Sequence, residues 1–232
     1  MKGKGPIKIV LFGAPGVGKG TFAEILSKKE NLKHINMGNI LREEIKRKTT
    51  IGKEIDKVVT SGNLVGDDLI IRIVKDEIAK VTIQKDCYFK GFILDGFPRN
   101  LFQCNELAKI TNIDLFINIY MPRHILIKKI MGRRICNDCN RNFNVVHIRE
   151  DSYDMLPILP PQDCETCKGN PKLQTRSDDS EEIVAHRLNT YELTNSPLIN
   201  FFKNSNCNFV DFEIKRGLQD FDSFYRIVSQ NL

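Results

Sequence analysis

The sequence predicts an α/β fold, a mostly parallel sheet with helices on both faces. Two observations carry this. Short β-branched apolar runs alternate with longer helical patterns, which implies crossover connections. The first run also leads directly into a glycine-rich turn that opens a helix.

In chain order, Ile7–Phe12 reads as a strand, because five of its six residues are apolar and the run is bounded by Gly5-Pro6 and by Gly13. "GAPGVGKGT" (13–21) follows and packs four glycines into nine positions. Gly18–Glu30 has helical character. The segment Asn36–Val65, also helical and ending near Gly62-Asn63, reads as an insertion. Tyr88–Leu94 and Leu115–Tyr120 are expected strands. From about Cys136 to Arg176 the helical period disappears, and proline, cysteine and polar residues dominate; so long a stretch is either a lid or disordered. A helix follows, with Val184, Leu188 and Tyr191 at i, i+4 and i+7 forming its core face and Arg187 beside that face. Cys207–Phe212 is the last expected strand.

At 232 residues, with 41% apolar and 28% charged residues, the chain can build one full core with small insertions. No apolar run approaches the roughly 18 residues a membrane helix needs. The formal charge of +6 favours an anionic partner, whether nucleotide phosphate, nucleic acid or lipid. The start Met1-Lys2-Gly3-Lys4-Gly5-Pro6 leaves no room for a cleaved signal before the first strand, so a cytoplasmic address is expected, with a mitochondrial one still open. Position 2 is not glycine, which removes myristoylation.

The glycine loop is an anion site. Backbone N–H groups converge on phosphate oxygens, the helix dipole adds to them, and Lys19 can reach the terminal phosphates. Glycines let the main chain approach because a Cβ would block it. The general pattern G-x-x-x-x-G-K-[ST] is not strictly met: Gly20 follows Lys19, and the hydroxyl comes one residue later at Thr21.

Four cysteines fall in two Cys-x-x-Cys pairs, Cys136/Cys139 and Cys164/Cys167, separated by 24 residues. That spacing fits a four-thiolate zinc site built from two knuckles, which would stabilise a segment too polar to build its own core. Reduced thiols or a redox pair are the alternative. His147 lies between the pairs as a spare ligand or an ordinary loop histidine. His34, His124 and His186 show no ligand spacing. Cys87, Cys104 and Cys207 are expected as buried thiols.

The departure at Gly20 is informative, because Gly-x-Pro-Gly-x-Gly-Lys-Gly-Thr resembles the loop of the adenylate kinase family of nucleoside monophosphate kinases. The resemblance continues through "HINMGNILREEI" (34–45), "GFILDGFPRNLFQ" (91–103), "IMGRRI" (130–135) and "QTRSDDSEEIVAHRL" (174–188). It implies a P-loop nucleoside triphosphate hydrolase-like core over residues 1–35, 66–131 and 180–232. A helical monophosphate-binding insertion would occupy 36–65, and a zinc-ribbon-like lid 132–179. It implies Mg²⁺-dependent transfer from ATP to AMP giving two ADP, with a GTP:AMP phosphotransferase as the alternative, in a monomer with no nucleic acid or membrane partner.

By the same resemblance, Lys19, Arg99, Arg133, Arg176 and Arg187 are catalytic. Gly16, Val17, Gly18, Gly20, Thr21, Asn142, Phe143 and Arg216 join Lys19 and Arg133 around the donor. Met37, Arg42, Asn63, Leu64, Val65, Gly96, Phe97, Pro98 and Gln103 join the remaining arginines around the acceptor, with Gln103 reading the adenine edge. Phosphoryl transfer needs in-line positioning and charge neutralisation more than covalent chemistry, which is why arginines are expected. Asp95 ends a buried strand, where open parallel sheets place ligands, and can orient Mg²⁺ waters, or else cap a turn. Asp178 and Asp179 are expected as helix caps before hinge-side partners for arginines.

Three positions depart from the family pattern. Met37 replaces Ser or Thr, Asn39 replaces Asp, and Lys129 stands where an arginine often stacks on the donor adenine. Asn140 stands where zinc lids usually have glycine, and the loop between the pairs is long. A zinc-ribbon nucleic-acid-binding ATPase is the contrasting class, but no aromatic-interleaved basic stripe supports it. A regulatory nucleotide-binding module would lack the arginine set.

Overall fold

The computed structural model describes residues 5–60, 63, 65–82, 88–139, 141–168 and 170–232. Leu64, Gly62, Cys87 and Asn140 therefore lie outside the described residues. The chain runs β1 (Ile7–Phe12), α1 (Lys19–Glu30), β2 (Lys33–Asn36), α2 (Met37–Lys46), α3 (Thr50–Thr60), α4 (Asp67–Thr82), β3 (Gly91–Asp95), α5 (Leu101–Ile110) and β4 (Leu115–Tyr120). It continues through α6 (Arg123–Met131), β5 (Arg133–Cys136), β6 (Asn142–Asn144), β7 (Ile148–Glu150), β8 (Tyr153–Met155), β9 (Leu173–Gln174), α7 (Glu181–Lys203), β10 (Asn208–Glu213), a 3₁₀ turn (Gly217–Asp220) and α8 (Phe221–Gln230).

The main sheet has five strands in the order β10-β4-β1-β3-β2, all parallel. Its period-two alternation sends Ile9 and Leu11 of β1 to one face and Val10 and Phe12 to the other, each into a separate apolar cluster. Both faces are covered, as an all-parallel sheet requires. On one face Phe22 of α1 meets Phe221 and Phe224 edge-on. On the other, Phe116 of β4 stacks on Phe202 of α7 with ring centroids 4.1 Å apart. Burying each such ring stabilises the fold by about 2–3 kcal/mol.

Two expectations change at the element level. The strand foreseen at Tyr88–Leu94 is β3, Gly91–Asp95. Tyr88 is 82% exposed, so its aromatic ring stays outside the core, and the strand begins where Gly91 lies against Ile7. Lys33–Asn36 forms the edge strand β2, pairing His34 with Ile93 and Asn36 with Asp95. The region 136–176 is short antiparallel strands: β5 pairs β6 and β9, and β7 pairs β8. Among the described residues no helix is long and apolar enough to cross a membrane.

Candidate active site

A cleft of about 300 Å³ lies at the carboxyl ends of β1, β3 and β2. Gly16 and Gly18 sit at φ +80° and +115°, and a Cβ on Gly16 would meet Ile130 Cγ1 at 2.1 Å, so the loop must be glycine there. Gly18 caps α1 without any side-chain bond, leaving the first amides of the helix directed at the cleft. Lys19 folds over the loop, its Nζ donating to Gly13 O at 2.7 Å and Ala14 O at 2.9 Å. Burial, then the neighbouring arginines, lower its pKa to about 8 despite Asp95.

Among the described residues, seven basic side chains line the cleft (Lys19, Arg42, Arg99, Lys129, Arg133, Arg176 and Arg187), against two acidic ones, Asp95 and Asp178. Burial and mutual repulsion lower the Arg42, Arg99 and Arg187 values, and take Arg176 to about 9. The arginines are held from behind. Arg99 Nε donates to Gly96 O at 2.8 Å, and Arg42 Nη2 to Asn39 Oδ1 at 2.5 Å. Arg133 makes a two-pronged pair with the buried Asp179, one prong at 2.8 Å. Arg187 Nη1 donates to Asp178 Oδ2 at 2.7 Å and lies 3.6 Å from Asp179 Oδ1. Arg176 reaches Asn142, yet its buried Nε has no hydrogen-bond partner among the described residues.

Asp178 and Asp179 are thus arginine partners, and the capping expectation is corrected: Ser180 is the N-cap of α7, accepting from Ile183 N at 3.4 Å. A pair of fixed carboxylates is needed more by converging guanidiniums than by a helix end that already has a serine.

Asp95 is buried at the end of β3. Burial pushes its carboxyl up, but the His34 hydrogen bond and the charges of Lys19, His34 and Arg99 outweigh that and hold it below the usual carboxylate range. His34 Nε2 lies 3.2 Å from Asp95 Oδ2, and Asn36 Nδ2 donates to the same oxygen, so His34 has a structural place that its sequence context does not signal. The hard oxygen donors here, the Asp95 carboxylate and the Thr21 hydroxyl lining the same cleft, suit a Mg²⁺–water cluster.

Gln103 is buried, but both ends of its amide are engaged. Its Oε1 accepts from Arg99 N at 2.8 Å, and its Nε2 donates to Asp67 Oδ1 at 2.7 Å. Asp67, which also takes Asn100 Nδ2 at 3.0 Å, is a cleft-side organiser without a motif of its own. Met37, Asn63, Val65, Gly96, Phe97, Pro98, Asn142 and Phe143 line the cleft. Val17 is buried and offers its carbonyl to Lys129 Nζ at 3.0 Å. Burial lowers the Lys129 pKa to about 8. Arg216 is not brought to the cleft: its guanidinium is largely exposed and pairs with Asp220 at 3.2 Å.

The Sγ atoms of Cys136, Cys139 and Cys167 lie within 4.8 Å of one another, and Cys164 packs buried in the same cluster with Phe143. Soft thiolates so grouped can hold a transition metal. His147 bonds Asp154 at 2.8 Å and stands outside that group. Cys104 is buried, whereas Cys207 is only partly so.

A main-chain phosphate cradle faced by converging cations at the end of a parallel sheet defines a phosphoryl-transfer enzyme acting on nucleotides. The adenylate kinase family model matches residues 11–207. A GTP:AMP phosphotransferase from Plasmodium falciparum (isolate 3D7) is 63% identical over 222 residues, covering 96% of each chain. An adenylate kinase from Caldicellulosiruptor bescii is 40% identical over 205 residues, covering 85% of this chain and 87% of its own. The chloroplastic adenylate kinase 1 of Arabidopsis thaliana is 34% identical over 220 residues, covering 92% of this chain and 74% of its own. The chain belongs to the adenylate kinase family and is a nucleoside monophosphate kinase.

Proposed function

We propose that this enzyme moves the terminal phosphoryl group of a purine nucleoside triphosphate onto AMP, with GTP the preferred donor. The observation that carries the donor choice is the near full-length identity with the Plasmodium GTP:AMP phosphotransferase. Lys129 agrees with it. Its buried ammonium sits beside the phosphate loop, and such a donor suits the carbonyl of guanine better than the amine of adenine. ATP is the second reading, favoured by the relatives whose names are adenylate kinase.

The residues divide the work by position. The loop amides and Lys19 hold the donor phosphates, while Arg42 and Arg99 hold the AMP phosphate. Arg133, Arg176 and Arg187 neutralise charge as it spreads over the transferred group. Asp95 and Thr21 would hold Mg²⁺ through waters, and the ion would supply further neutralisation of phosphate charge. Asp178 and Asp179 keep two of the arginines aimed, so little reorganisation accompanies the reaction. Closure of segments 36–65 and 132–179 over the core excludes water, which would otherwise accept the phosphoryl group. The four cysteines hold a structural zinc, and the enzyme works as a monomer on free nucleotides in the cytoplasm.

A coupled assay offering GTP, ATP and ITP against AMP tests this. GTP is expected to give the highest kcat/KM, and Arg99→Ala to lower kcat/KM at least about a hundredfold. A higher kcat/KM for ATP overturns the donor choice, and near-parental activity of Arg99→Ala overturns its role.

A further inference from the structure

The region between the two cysteine pairs is two structures joined at a neck. Asn144 and Ile158 bond each other reciprocally, N to O, at 3.0 and 2.8 Å, and so close residues 145–157 into a separate excursion. On one side of the neck lies the tip, with β5, β6, β9 and the cysteine cluster, which has its own small core. On the other side is the β7–β8 hairpin. Its buried side chains Ile148, Tyr153 and Met155 belong to the main core, together with Phe212, Ile214 and Phe221.

Polar contacts fasten the hairpin to the same place. Tyr153 Oη donates to Glu213 Oε1 at 2.5 Å, at the end of β10. Asp154 N donates to Lys215 O at 3.0 Å, just beyond that strand. Lys128 of α6 pairs with Glu150. Among the described residues, no hydrogen bond or ion pair ties the tip to β10.

The hairpin also borders a recess of about 30 Å³ on the flank of the phosphate loop. Met155 and Leu156 form one side of it, and Gly18, Lys129 and Leu218 the others. The recess runs into the main cleft, since Gly18, Thr21, Lys129 and Asn144 line both. Its volume holds about one water, so a purine enters only as flexible side chains part. Leu156 is 53% exposed and Leu218 38%, which leaves them free to do so.

The geometry points to the hairpin as a stationary wall of the donor-base seat: it stays with the core while the cysteine-rich tip moves, and Leu156 and Met155 hold the donor base and set donor preference. This rests on the kinase reading proposed above, and it moves the working boundary of the mobile lid to the neck.

Full-length Leu156→Ala and Leu156→Glu chains test the seat, because an exposed leucine can be replaced without touching the core. The expected result for Leu156→Glu is a donor KM raised on the order of tenfold, with a changed GTP-to-ATP ratio of kcat/KM and an AMP KM within about twofold of the parent. Unchanged donor KM and ratio overturn it. Hydrogen exchange tests the anchoring. Amides of 148–155 are expected to keep protection like that of β10 with or without a dinucleoside pentaphosphate, while 133–144 and 173–176 gain protection on binding. Parallel gains in hairpin and tip overturn the stationary wall. A parent enzyme that transfers nothing from either triphosphate to AMP sinks the kinase reading instead, and the exchange result still decides the anchoring.

Discussion

Lys19 lies on the carbonyls of its own loop with a pKa of about 8, against 10.5 for an ordinary lysine, mainly because it is buried. Two opposite slopes follow. Between about pH 8 and 10 the unfolded chain binds this proton and the folded one does not, so this group's contribution to stability rises with pH. Over the same range the phosphate grip loses its ammonium. Donor KM is therefore expected to rise severalfold from pH 7 to 9, and steady-state kinetics of Lys19→Arg, which stays charged, should show a flatter profile. Identical profiles for parent and variant would remove Lys19 from the titration. The residues that were legible are those whose chemistry imposes a local pattern: the glycine loop, Asp95 to Arg99, and the arginine series. His34 and Asp67 were not, because each acts on a partner 61 or 36 positions away in the chain and leaves no local spacing. Asp178 and Asp179 were visible but misread, since a carboxylate just before a helix satisfies capping rules as well as it satisfies an arginine.

At the scale of elements, the parallel sheet could be anticipated because alternate residues of β1 must feed two cores, and that leaves a nearly continuous apolar run. β2 could not, since its four residues Lys33–Asn36 lie on the edge and only Ile35 is fully buried. Among the described residues the cysteine tip has the smallest core, essentially Phe143 and the thiols with Ile158 and Leu173 beside them. The zinc proposed for these thiols would supply the folding energy that so small a core lacks. Chelation is expected to strip about one zinc per chain, to lower the melting temperature by about 5 °C and to reduce turnover without abolishing nucleotide binding. Metal analysis paired with thermal melts checks this. Protein that contains no transition metal and melts identically with chelator would leave the thiols as ordinary lid packing.

For the whole molecule, the decisive property is the surplus of positive charge held open in one cleft, seven cations to two carboxylates among the described residues of its lining. Mutual repulsion is a standing cost that bound phosphates relieve. A dinucleoside pentaphosphate at a hundred times its Kd is expected to stabilise the fold by about 2.7 kcal/mol, a rise of roughly 5–10 °C for a chain of this size. Raising salt from about 0.05 to 0.5 M should shrink that rise, because screening weakens the attraction that produces it. Calorimetry with and without the ligand reads both, and a salt-independent rise would show that the cations are not what the ligand satisfies. The loop at residues 13–21 bears on inheritance as well. Its grip is made of main-chain amides, so a side-chain change at Ala14 or Val17 leaves those amides in the chain, whereas Gly16 admits no Cβ at all. Change in what the enzyme accepts as fuel is thereby steered to the rim, at Lys129 and along residues 145–156.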